Sequence, residues 1–70
     1  MSVTNWERLQ KRMGPNERFP GKRVYCFGAF RRMEQQWFVQ FVKEADARDL
    51  DVLVKDGLVF VLCDLPKARV

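Results

Sequence analysis

Two β-rich runs joined by Asp56-Gly57 constrain this chain more than any other feature of its sequence. Asp-Gly is a preferred pair for the two-residue type I′ turn, whose central residues both need positive φ, so a hairpin is expected over about 51–63. The turn sets the register: Lys55 faces Leu58, Val54 faces Val59, Leu53 faces Phe60 and Val52 faces Val61. One face then carries valines, the other Leu53, Leu58, Phe60 and Leu62, and both need cover. An isolated hairpin is marginally stable, so the rest of the chain must supply that cover.

Upstream, the sequence predicts one further strand and two helices. Thr4-Asn5-Trp6-Glu7 fits a capping box, which starts a helix over about 5–13 with Trp6, Leu9 and Met13 on one face and Arg8, Lys11 and Arg12 on another. Gly14-Pro15 supplies a left-handed stop and a residue that cannot continue the helix. Phe19-Pro20-Gly21-Lys22 suits a type II turn. A strand over about 22–30 follows, with Val24, Cys26, Gly28 and Phe30 pointing one way and Tyr25, Phe27 and Ala29 the other. From about 31 to 48 the apolar period becomes helical, with Met33, Trp37, Phe38, Phe41, Val42 and Ala45 on one stripe and Gln35, Gln36, Gln40, Lys43 and Asp46 opposite.

The resulting order is αβαββ, an α+β fold in one small domain spanning 1–70, with residues 64–70 as a short tail. Pairing the first strand with the strand after the main helix, through a right-handed crossover, predicts a three-stranded mixed sheet. The main helix covers one face, and the short N-terminal helix or a second subunit of a homodimer covers the other. Val24-Tyr25-Cys26-Phe27-Gly28-Ala29-Phe30, followed by a helix and Asp51-Val52, resembles the opening of a SPOR-type peptidoglycan-binding repeat. The likeness covers less than half the chain and lacks that repeat's second helix and closing strand, so it is read as the general look of a strand–helix–strand unit.

Charge and residue types narrow the function. The chain holds 13 Lys and Arg against 9 Asp and Glu, and the basic excess lies within residues 1–35. This asymmetry points to an anionic partner, nucleic acid or an acidic protein surface. There is no histidine, which removes the commonest general acid/base and any Cys/His zinc set; no metal or cofactor is expected, and the chain reads as a non-enzyme. Cys26 and Cys63 sit in strand-like runs and read as core packing, kept reduced if they approach one another. No apolar run spans a bilayer and no charged-then-apolar leader is present, so no membrane partner is expected and the cytoplasm is the expected location.

Three groups of residues are candidates for recognition. Gly28-Ala29-Phe30-Arg31-Arg32 leads into the main helix with two arginines in its first turn, where cations oppose the helix dipole unless an anion sits between them. Arg8, Lys11 and Arg12, extended by Arg18, Lys22 and Arg23, make a phosphate-backbone footprint. Trp6, Phe19, Tyr25, Phe27, Trp37 and Phe38 exceed what one small core needs, and Trp6, Phe19 and Tyr25 are the candidate protein anchors. The leading expectation is nucleic-acid binding. The alternative is a protein-directed inhibitor or adaptor, such as a phage or mobile-element accessory protein that blocks a larger host complex.

Overall fold

The computed structural model describes residues 2–65. Its elements are α1 (Trp6–Arg12), β1 (Lys22–Ala29), a 3-10 turn (Phe30–Arg32), α2 (Gln35–Ala47), β2 (Asp51–Lys55) and β3 (Leu58–Asp64), a small α+β arrangement in the expected order. Of the tail, Asp64 closes β3 and Leu65 is exposed, while 66–70 lie outside the described residues.

The hairpin forms as its turn demands: Asp56 and Gly57 have φ of 53° and 75°, and the pairing runs from Lys55↔Leu58 to Val52↔Val61 and on to Asp51↔Leu62. The sheet order, however, is β1-β3-β2, and both pairings are antiparallel. The expected mixed sheet is therefore corrected. β1 and β2 run in the same direction but never pair, because β3 lies between them. The composition of β3 gives the reason: Val59, Phe60, Val61 and Leu62 are all buried, so this strand gains most from cover on both faces. β2, with Asp51 and Lys55 at its ends and most of its residues exposed, takes an edge.

Both helices lie on the same face. Trp6, Leu9 and Met13 near α1 join Phe41 and Ala45 of α2 and Leu50 over Val59 and Val61, with Val52, Tyr25, Phe27 and Cys63 packed around them. Phe41 is the centre, stacked on Trp6 at 4.9 Å and Trp37 at 5.0 Å and tilted against Phe27 at 4.8 Å between ring centroids. The opposite face carries Val24, Phe60 and Leu62, and neither α1 nor a second subunit is needed to bury them. Phe19 folds over from the 14–21 connection and meets Phe60 edge-on at 5.0 Å. The wrap begins at Gly14, which has no left-handed φ and exchanges two backbone hydrogen bonds with Val24, at 3.0 and 2.8 Å. It ends in the type II turn, with Gly21 at φ 81° and Lys22 N–H donating to the Phe19 carbonyl at 3.2 Å.

The main helix starts later than its periodicity implies. Phe30 N–H donates to the Gly57 carbonyl at 2.9 Å, anchoring the end of β1 to the hairpin turn, and the next residues close a 3-10 turn before Met33 extends the chain. A register shift between Cys26 and Gly28, with Gly28 at φ 149°, puts an extra residue into β1 and keeps Phe27 with Tyr25 in the helix-side core. The cysteines are free, Cys26 exposed and Cys63 half-buried against the helix-side core, so core packing holds for Cys63 and is corrected for Cys26.

Candidate nucleic-acid interface

The basic residues of the N-terminal half divide into two sets. α1 is capped by Asn5, whose side chain accepts from the Arg8 N–H at 3.1 Å, and not by Thr4 as the capping-box reading implied. This phase turns Trp6 and Leu9 into the core and leaves Arg8, Lys11 and Arg12 exposed. Lys11 pairs with Glu7 at 3.5 Å. Arg23 is structural: its Nη2 donates to the Gln10 carbonyl at 2.9 Å and to that of Met13 at 3.4 Å, satisfying the C-terminal end of α1, where a cation is favoured. Lys22 forms an ion pair with Asp64, and the hydrogen bond to that carboxylate raises its pKa. Arg18 lies 3.6 Å from the Asp56 carboxylate and 5.9 Å above the Phe60 ring. Arg23 is thus engaged within the fold, while Lys11, Arg18 and Lys22 make ion pairs at the surface.

Arg8, Arg12, Arg31 and Arg32 are exposed and have no side-chain hydrogen bond or ion pair among the described residues. The later start of α2 removes Arg31 and Arg32 from its first turn, because they belong to the 3-10 turn, and its cap position is held by Glu34. The two arginines also line different depressions. Arg31 borders Phe30, Gly57 and Leu58 on one side and Phe38 and Val39 on the other. Arg32 borders a cleft of about 560 Å³ lined by Phe27, Gly28, Ala29, Met33, Glu34 and Trp37. A neighbouring depression is lined by Arg8 and Arg12 with Asn5, Tyr25 and Phe27. Phe27 lines both depressions, one bordered by α1 and β1 and the other by β1 and the start of α2.

The three aromatic anchor candidates fare differently. Trp6 is only 4% exposed, so its ring belongs to the core and is no surface anchor. Its indole N–H donates to Glu44 Oε1 at 2.7 Å, and the same carboxylate accepts from the Val3 N–H at 3.1 and 3.2 Å and from Gln40 Nε2 at 3.1 Å. These donors, led by Trp6, hold the Glu44 pKa below its ordinary value. Arg48 stacks over Trp6 at 5.2 Å and donates to the Glu44 carbonyl. Phe19 is half-buried on Phe60, and Tyr25 is half-buried at the depression bordered by Arg8 and Arg12.

Phe27 and Trp37 belong to the aromatic surplus of the sequence but not to its three anchor candidates, and Glu34 is no site candidate there. Their signal was faint: two aromatics at core spacing, and a glutamate where Ser, Thr, Asp or Asn would cap a helix. No group of three metal-ligating side chains occurs among the described residues, and no described helix is long and apolar enough to cross a membrane. The chain matches no protein-family model, no curated protein and no solved structure.

Proposed function

We propose that this protein is a non-catalytic nucleic-acid-binding protein acting in the cytoplasm. One observation carries the reading: Arg8, Arg12 and Arg32, exposed and without a side-chain partner among the described residues, border two depressions that are both lined by Phe27. Guanidiniums neutralise phosphates and release counterions, while aromatic faces stack bases without regard to sequence. The test is a fluorescence-polarisation titration with short DNA and RNA strands at two salt concentrations. Affinity falls steeply with salt, and an Arg8→Ala/Arg12→Ala variant binds every sequence more weakly, with a salt slope reduced by roughly 0.7 per lost single-strand phosphate contact. Absence of binding at low salt overturns the reading.

A protein-directed inhibitor or adaptor is the second reading, favoured by a separate feature. Phe30 and Val39 are 43% and 47% exposed and share a depression with Phe38, Met33 and Arg31. That surface supports a partner held by an apolar anchor, in which Phe30→Ala causes a large loss of affinity and salt a small one.

A further inference from the structure

We infer that the cleft between β1 and the start of α2 binds one unpaired guanine base, so that the preferred partner is guanine-containing single-stranded nucleic acid. This rests on the nucleic-acid reading above and narrows it. At about 560 Å³ the cleft lies within the roughly 300–1,000 Å³ typical of small-ligand sites. Its apolar wall is aromatic, with Phe27 and Trp37 tilted together at 5.4 Å between centroids and both half-buried. A planar heterocycle gains most from such a wall, and it must leave its helix to reach it.

The charges select which base. Arg32 lines the cleft and can pair with a phosphate there, and the depression bordered by Arg8 and Arg12 shares Phe27 with it. Glu34 is the acidic group lining the cleft. It occupies the cap position of α2, where the helix dipole favours its charge, and its carboxylate makes no cap hydrogen bond, which leaves its oxygens open to a donor from a ligand. A carboxylate repels phosphate and accepts two parallel N–H bonds. Guanine offers such a pair on its Watson–Crick edge, N1–H beside the N2 amino group, whereas adenine and cytosine present a single donor amino group there and thymine a single imide N–H. At Gly28 the φ of 149° is one that L side chains rarely adopt, which keeps this part of the cleft floor free of a side chain.

The decisive experiment titrates the intact protein and Glu34→Gln with labelled strands of about eight nucleotides, a length within the usual single-strand site size. The strands carry one central guanine, adenine, cytosine or thymine, and the guanine strand is also tested as a duplex. Guanine single strand is expected to bind at least about tenfold more tightly than its duplex and several-fold more tightly than the other strands. Glu34→Gln is expected to erase the guanine preference while binding the thymine strand at least as tightly as the intact protein, since the lost carboxylate no longer repels phosphate and Glu34 is exposed, so the core is untouched. Binding that is equal for duplex and single strand, equal binding of the four single strands, or a guanine preference that survives in Glu34→Gln overturns the cleft assignment and leaves the broader nucleic-acid reading standing. No binding of any strand at low salt overturns both.

Discussion

On one face of the sheet the valines of β3 lie beneath two helices and a stack of rings centred on Phe41; on the other, Phe60 and Leu62 lie beneath one turn of connecting chain. The outcomes are nearly alike, with Phe60 only 2% exposed. The means differ. Helical cover comes from many side chains at once, whereas the connection delivers a single ring, Phe19, held between Phe60 and the Lys55 ammonium 5.5 Å from its centroid. A small sheet can thus close its second face with one well-placed aromatic and neighbouring cations, which leaves both helices for the other face.

The largest effect separating the faces is expected from ring deletion. Phe41→Ala should cost about 3–5 kcal/mol by denaturant unfolding, a large share of what a domain of this size has. Phe19→Ala, removing a half-exposed ring, should cost about 1–2 kcal/mol. Equal losses would show that the connection belongs to the same cooperative core and would remove the distinction.

The helix face also contains a buried carboxylate, absent from the loop face, and pH reads it separately. Because the folded pKa of Glu44 lies below its ordinary 4.5, its contribution is present above that value and is lost as pH falls through the folded pKa. Thermal melts should therefore show a fall in Tm on acidification that Glu44→Gln flattens, with the variant already less stable at neutral pH. An unchanged acid profile in Glu44→Gln would assign the loss to other carboxylates.

The smallest expected effect distinguishes committed from uncommitted arginines. Arg23→Ala removes the cation that satisfies the end of α1 and should cost about 1 kcal/mol, while Arg12→Ala should leave stability within about 0.5 kcal/mol of the parent. A stability loss for Arg12→Ala equal to that for Arg23→Ala would place Arg12 in the fold and take it out of the interface.

Much of this is local and was legible in the sequence. Asp56-Gly57 dictated turn type and register because only a few residues tolerate paired positive φ, and Pro20-Gly21 dictated the type II turn for the same reason. The end of the strand preceding α2 was less legible, since the bond from Phe30 to Gly57 joins residues far apart in sequence and converts a helical-looking stretch into a 3-10 turn. Of the candidate site, the basic residues were legible as a class. Which of them were already engaged depended on Asp64, Asp56 and the end of α1 reaching them.

By itself the sequence determined the elements, their order and the hairpin, because turns, caps and apolar period are set by residues a few positions apart. Only the tertiary structure decided that β3 is central, that both helices share one face, and that Arg8 and Arg12 border one depression and Arg32 another, both lined by Phe27. The physical reason is competition for burial: each apolar face is locally satisfied by several partners, and the choice among them is made by the whole sheet at once, with β3 taking the position that covers both its faces.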